Sequence, residues 1–312
     1  MIFCSKLKHF CTTLSFYIIA LFVFIASPVN AEPFLLSVVL SENGGAYSEF
    51  SEALQNYLLN SEVKLSIQDT TKDLPKSDLV IAVGMKAASN FANSKAPAVL
   101  NVMITKAAYH QLLREFPGRE NSPGYSAIYL DQPVERQLSL IAAAFPERAN
   151  VGLLYHTPPL VEISEIRQKA GDFGLKLFEQ EVKNGSMFEP LQNVLKHSDV
   201  LLALPDPAIF NTTSLRNILV STYQAQVPVI GFSSAYVKAG AICAVYTTPV
   251  QFATQTGLAI LKFVETETLP RPEYSKFFEI SINERVAKSL SINIKNPKEL
   301  ALLMASPRKR KP

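Results

Sequence analysis

Cysteine is scarce in this chain, with three in 312 residues, and that excludes a disulfide framework. Histidine is scarce too. His110, His156 and His197 lie far apart, and no HxxxH or Cys/His spacing suggests a metal site. An excess of one charge is missing: 30 Lys and Arg stand against 27 Asp and Glu, for a net charge of +3. Lys6 and Lys8 fall in an N-terminal segment, and Arg308, Lys309, Arg310 and Lys311 in a terminal cluster. Without these six the body is slightly acidic, which excludes an electrostatic footprint for a nucleic-acid backbone. Long apolar runs are missing as well, with one exception at the start, and this rules out a polytopic membrane protein. No G-x-G-x-x-G and no P-loop occurs, so no nucleotide cofactor is expected. Gly231-Phe232-Ser233-Ser234-Ala235 begins like a nucleophile elbow but has no closing glycine. What remains is globular composition, 48% hydrophobic and 18% charged, with 20 Pro and 12 Gly.

The exceptional apolar run has the layout of a cleavable secretory signal. Lys6 and Lys8 form a positive start, Leu14 to Ala26 an apolar core, Pro28 breaks it, and Val29-Asn30-Ala31 offers small residues for cleavage. Cleavage after Ala31 leaves a mature chain that begins at Glu32. The alternative, an uncleaved anchor, is disfavoured because the run is short for a membrane span. Cys4 and Cys11 leave with the signal, and neither fits a lipoprotein site. The mature chain keeps one thiol, Cys243, in an apolar stretch that reads as a strand. A buried structural thiol is the expectation there. Stability then rests on an apolar core, which a chain of this size can build.

The mature chain alternates strand and helix signals. Phe34 to Leu40 reads as a buried strand, and Tyr47, Phe50, Leu54, Tyr57 and Leu58 recur at helical spacing. Strands follow at Val63 to Gln68, Leu79 to Val83 and Ala98 to Ile104, with a helix over Lys86 to Asn93. This order predicts parallel βαβ units with right-handed crossovers. A second copy starts near Asn150, with a strand over Val151 to Tyr155, a helix through Ile163, Ile166 and Ala170, and a strand over Leu175 to Val182. Ser77-Asp78-Leu79-Val80-Ile81-Ala82-Val83-Gly84 lines up with Ser198-Asp199-Val200-Leu201-Leu202-Ala203-Leu204-Pro205, at the same place in each copy. The reading is an α/β protein of two Rossmann-like lobes with parallel sheets. Its expected bounds are 1–31 for the signal, 32–148 plus about 247–312 for the N-terminal lobe, and 149–246 for the C-terminal, ligand-binding lobe. Three chain crossings between lobes are expected, with candidates at Phe145 to Asn150, Gly240 to Thr248 and Ser275 to Asn283.

Open parallel sheets bind ligands outside the carboxyl ends of their strands. On the first lobe this singles out Ser41 and Glu42, then Asn43, Gly44, Gly45 and Tyr47, then Gly84 and Met85. On the second it singles out Tyr155, His156 and Thr157, then Pro205, Asp206 and Pro207, then Phe232 and Ser233. The glycines let a backbone approach a ligand closely. Free N–H groups at a helix start favour a carboxylate, aromatic rings stack on an apolar or ring-bearing ligand, and Asp206 suits a cationic amine. Plainer roles compete. Asp206 would serve equally well as N-cap of a helix over Pro207 to Asn217, Tyr155 and Phe232 as core residues, and Gly44-Gly45 as a turn. Tyr125 and Asp131, in and just after a strand over Tyr125 to Leu130, point either into the cleft or toward the surface, and the surface is preferred. No catalytic constellation emerges, so a non-catalytic binder is the economical reading.

Two elements carry a resemblance. Pro205, Asp206, Pro207 and Asn211 form a P-D-P-x-x-x-N pattern, and Val227 to Ala241 a V-P-V-I-G-F-S-x-x-Y-V-K-x-G-A pattern. In these the chain resembles the ABC-transporter substrate-binding protein family of the periplasmic type I fold, in particular the branch linked to aromatic amino acids. The entry to the Tyr47 helix, the turn at Gly84 and the stretch Ser281 to Leu290 agree more loosely. The loop Glu42-Asn43-Gly44-Gly45 departs from the acidic, Ser-rich loop of that pattern. The resemblance implies a periplasmic monomer that captures a small solute, an amino acid or related compound, by hinge closure. It implies delivery to an ABC permease in the inner membrane, with no cofactor, no nucleic acid and no catalysis. Two alternatives stand beside it: a sensor subunit that presents its closed form to a membrane signalling protein, and an exported enzyme on a similar fold. A transcription regulator is disfavoured, because a secretion signal stands where a DNA-binding helix-turn-helix would be.

Overall fold

The computed structural model describes residues 33–69, 76–157, 159, 163–183 and 186–305. The expected signal segment and the terminal basic cluster lie outside these residues. The first sheet is built from β1 (Leu35–Leu40), β2 (Lys64–Asp69), β3 (Leu79–Val83), β4 (Val99–Ile104), β5 (Tyr125–Tyr129) and β11 (Glu273–Tyr274). Its strand order is β11-β5-β4-β3-β1-β2, and every pairing in it is parallel. The second sheet comprises β6 (Asn150–Tyr155), β7 (Lys176–Glu181), β8 (Val200–Leu202), β9 (Val229–Gly231), β10 (Cys243–Tyr246) and β12 (Glu279–Ile282). Its order is β12-β10-β9-β8-β6-β7, parallel except for the antiparallel pair β10 and β12.

Hydrophobic content sets the depth of each strand. LVIAV of β3 is buried at all five positions, while KLSIQD of β2 is half-exposed at its sheet edge. Central parallel strands are covered on both faces and so are continuously apolar. Helices supply the cover. On one face of the first sheet, α1 (Gly45–Leu58) and α9 (Pro249–Thr266) pack Phe50, Leu54, Phe252 and Ile260 over Val38, Ile81 and Leu100. On the other, α2 (Met85–Ala92) and α3 (Lys106–Glu115) pack Ala88, Phe91, Tyr109 and Leu112 over Val80, Val99 and Ala127. The second sheet is sandwiched in the same way. One of its layers holds α6 (Phe188–Lys196), α7 (Thr212–Gln224) and α8 (Ser234–Ala239), through Leu191, Val194, Ile218 and Tyr236.

The duplication seen in the sequence is structural. β3 and β8 hold the same place in their sheets, and the two aspartates that precede them do the same work. Asp78 Oδ2 accepts from the N–H of Leu35 at 2.8 Å, and Asp199 Oδ2 from the N–H of Asn150 at 2.9 Å. Each ties the start of one inner strand to the start of its neighbour.

The lobe bounds differ from the sequence expectation at two points. Helix α4 (Val134–Ala144), placed in the first lobe by sequence, packs Val134, Leu138 and Ile141 with Val151, Leu153 and Val245 of the second. The first crossing is therefore at 130–133 and not at Phe145 to Asn150. The C-terminal stretch also divides. α9 and β11 belong to the first lobe, whereas β12, α10 (Glu284–Ser289) and α11 (Pro297–Ala305) join the second through Ile280, Ile282, Ala287 and Leu300. An apolar helix face shows that it is buried but not against which sheet.

The second crossing is at Thr247 and Thr248, between β10 and α9, and the third runs from Ser275 to Phe278, between β11 and β12. β5, β10 and β11 each end at the carboxyl edge of a sheet, and β12 enters opposite Tyr246 at the end of β10. All three crossings thus join one carboxyl edge to the other, and the strand-end loops of both lobes flank the same hinge.

Candidate functional site

Two helix starts at the carboxyl edge of the first lobe are built on glycine, while α3 and α9 there are capped by the Thr105 and Thr248 side chains. Gly44 caps α1 with φ 95° and ψ 176°, and Gly84 caps α2 with φ 84° and ψ 172°; neither cap receives help from its own side chain. That backbone region is almost closed to residues with a Cβ. Ser41 bridges the two loops. Its N–H donates to the Val83 carbonyl at 2.9 Å, and its Oγ accepts from the N–H of Ala87 in the first turn of α2 at 3.0 Å. Tyr47 leans over the same spot: a Cβ placed on Gly84 would stand 2.6 Å from Tyr47 Oη and 2.7 Å from Ser41 Oγ. Burial, with Glu42 adding its charge, pushes the Tyr47 phenol above its usual range. Tyr47 thus stays a neutral donor beside the start of two helices. The structure brings Ser41, Gly45, Tyr47, Gly84 and the exposed Met85 together, and Asn43 lies exposed on the same loop.

Two helix starts on the second edge are built on side chains. Asn211 caps α7 with a full capping box, its Oδ1 accepting from the N–H groups of Thr213 and Ser214 at 3.0 Å each. The expected helix over Pro207 to Asn217 therefore begins later, and Asp206 does not cap it. Asp206 is buried and closes a tight turn instead, with Oδ1 accepting from the N–H of Ala208 at 2.9 Å. Ser233 caps α8, its Oγ accepting from the N–H of Tyr236 at 3.3 Å. Phe232 is half-buried in an aromatic group with Phe210 and Tyr236, at centroid separations of 6.5 and 4.2 Å. Two of these three rings were not singled out from sequence. Tyr236 stands at helical spacing behind Ser233 and Phe210 in a loop, so neither showed its neighbours. The Tyr236 hydroxyl is buried without a hydrogen-bond partner among the described residues, and burial pushes its pKa up to about 12.

Other candidates fall away from this centre. Thr157 donates to Glu181 at 2.5 Å, and Glu181 pairs with Lys183 at 3.1 Å, forming an exposed surface cluster beside His156. Tyr155 is half-buried at the end of β6, and Pro205 lies next to Asp206. Tyr125, expected at the surface, is buried and stacks on Tyr109 at 5.6 Å. Asp131, also expected there, turns inward and accepts from the N–H of Lys106 at 2.7 Å; burial lifts its carboxyl above its usual range. Cys243 is fully buried and its thiol is pushed far up by burial, as a structural cysteine should be. A recess of about 460 Å3 lies at the other end of the first lobe. Its Arg119 donates to the carbonyls of Phe91, Ala92 and Ser94, a clamp on the end of α2. Among the described residues no group of three His, Cys, Asp or Glu could hold a metal, and no helix is long and apolar enough to cross a membrane.

Two α/β sandwiches joined by three crossings at their carboxyl edges form the periplasmic binding protein type I fold. The chain belongs to the ABC transporter substrate-binding protein family, whose model matches residues 56–303. This is a family of binding proteins and not of enzymes. The fold is shared with a conserved domain protein from Vibrio cholerae, at TM-score 0.60 and 18% identity over 86% of this chain and 98% of that one. A domain from Streptococcus pneumonia in complex with L-Trp gives 0.60 at 16% identity, over 85% and 97%. A ligand-free, open substrate-binding protein with adhesive properties from Clostridium difficile gives 0.65 at 17% identity, over 84% and 96%. No curated protein matches the chain.

Proposed function

We propose that this protein is an extracytoplasmic receptor that captures an amino acid or a closely related compound between its two carboxyl edges and presents it to an ABC importer. The observation that carries this reading is the unlike chemistry of the two edges around one hinge. The first offers backbone N–H groups at two glycine-capped helix starts, with the Tyr47 hydroxyl beside them, a suitable seat for a carboxylate. The second offers the Phe232, Phe210 and Tyr236 rings and the buried carboxylate of Asp206, which suit an apolar or aromatic side chain and an ammonium group. A ligand with all three groups touches both lobes only when they close, so it binds the closed form better and shifts the population toward it. To take that equilibrium from 1:99 to 99:1 it must prefer the closed form by about 10⁴-fold. In this reading the chain is exported with its first 31 residues removed, acts as a monomer, and its closed form is what the permease recognises.

The test is a thermal-shift screen of the amino acids, L-Trp first, on the chain from Glu32. A ligand at a thousand times its Kd stabilises the folded state by about 4 kcal/mol. Asp206→Asn keeps an oxygen for the Ala208 N–H and removes the charge, so it should abolish the shift while leaving the melting temperature of the free protein nearly unchanged. A full shift in that variant would remove Asp206 from the site. A screen in which no solute shifts the protein and none compacts it in solution scattering would overturn the reading.

A further inference from the structure

All three crossings meet in one hydrogen-bonded braid of side chains, all buried except the half-buried Arg136. Gln132, in the first crossing, donates from Nε2 to Thr247 Oγ1 of the second at 2.9 Å. Thr247 in turn donates to the Phe277 carbonyl of the third at 2.8 Å. Arg136, in the first turn of α4, closes the loop. Its Nη1 donates to Gln132 Oε1 at 2.5 Å and to the Ser275 carbonyl at 3.0 Å, while its guanidinium lies over the Phe278 ring at 4.6 Å. From the first lobe, Gln255 of α9 holds the start of the third crossing. Its Oε1 accepts from the N–H of Lys276 at 2.8 Å and lies 3.2 Å from Ser275 Oγ, and its Nε2 donates to Glu273 at 2.8 Å. Gln132, Thr247, Gln255 and Ser275 are 5%, 7%, 3% and 1% exposed.

Independent strands that cross between lobes leave more than one axis of motion, because each can bend or slide by itself. Buried polar groups resist separation, since a group that loses its partner away from water is costly to leave unsatisfied. Thr247 matters most, because its one hydroxyl accepts from one neighbouring crossing and donates to the other. We infer that the braid of Gln132, Arg136 and Thr247 couples the three crossings into a single-axis hinge and sets the spread of lobe orientations in the free protein. These are positioning residues, and they act on ligand binding only through that spread. The inference rests on the closure reading above for its purpose, but its test needs no ligand.

Spin labels placed at the exposed positions Glu49→Cys on α1 and Lys238→Cys on α8, with Cys4 and Cys11 replaced by Ser, report the interlobe distance distribution. The braided protein should give a narrow distribution. Thr247→Val, which keeps shape and removes both bonds, should broaden it at least twofold; Gln132→Leu should do the same, and Thr247→Ser should restore the narrow form. A folded Thr247→Val protein, shown by an unchanged circular dichroism spectrum, that keeps the original width overturns the inference whatever Gln132→Leu does. So does an equal broadening in Thr247→Ser. Failure of the amino-acid screen would end the proposed ligand class yet leave this comparison of widths intact.

Discussion

Four helix starts, two on each carboxyl edge, solve one problem by opposite means. At each, a strand hands over to a helix whose first N–H groups have no partner within the helix. The second lobe satisfies them with its own side chains, Asn211 for α7 and Ser233 for α8. The first lobe leaves α1 and α2 to glycine, with Ser41 reaching across from β1 to assist only α2. A capped helix start is already satisfied and contributes rigidity. An uncapped one is an open socket for an anion. Under the proposed function, this difference would seat the polar end of a ligand on the first lobe and its apolar body on the aromatic group of the second.

Three measurements would break or sharpen this contrast. The largest effect is expected at Gly84. Any Cβ there meets Tyr47 Oη and Ser41 Oγ and forces a glycine-only backbone region, so Gly84→Ala should lose about 2–3 kcal/mol in urea unfolding. A loss below about 0.5 kcal/mol would show that this edge does not depend on glycine. A smaller effect belongs to the second edge. Asn211→Ala removes both partners of a capping box and should cost about 1 kcal/mol, with Asn211→Asp recovering most of it. A neutral Asn211→Ala would mean that water satisfies those N–H groups and that the two edges are alike.

The smallest effect is one of pH. Burial holds the Asp131 carboxyl above the usual carboxylate range in the folded protein, so the folded state binds that proton more tightly than the unfolded state does. The stability this contributes is fully present below the ordinary value and is lost as pH rises through the raised one. Asp131→Asn, which keeps an acceptor for Lys106, should therefore gain stability relative to the parent as pH climbs through that window and then level off. Urea midpoints from pH 3 to 7 check this, and a parallel pair of curves would contradict it.

Much of this is legible in the sequence alone. The shared Ser-Asp and apolar run predicted two equivalent inner strands, and β3 and β8 are those strands, each tied at its start by the same aspartate. Strand-end loops were readable because apolar runs stop abruptly where a chain leaves a parallel sheet. Short elements were not. Helix α8 and strand β11 are too brief for a period to stand out, and both depend on neighbours far along the chain. The first crossing was misplaced for a related reason. Val134, Leu138 and Ile141 mark α4 as half-buried, and that pattern is the same whichever sheet it covers.

Period, composition and local turn chemistry act over a few residues, so strand and helix types, the doubling of the fold and the loops at the strand ends were all written in the chain. Packing decided the rest. Asp206 closes a turn while Asn211 caps the helix, Tyr236 and Phe210 join Phe232, and Gln132 reaches Thr247 across more than a hundred residues. Those contacts depend on how two sandwiches meet at a hinge, and no short stretch of sequence holds both sides of such a contact.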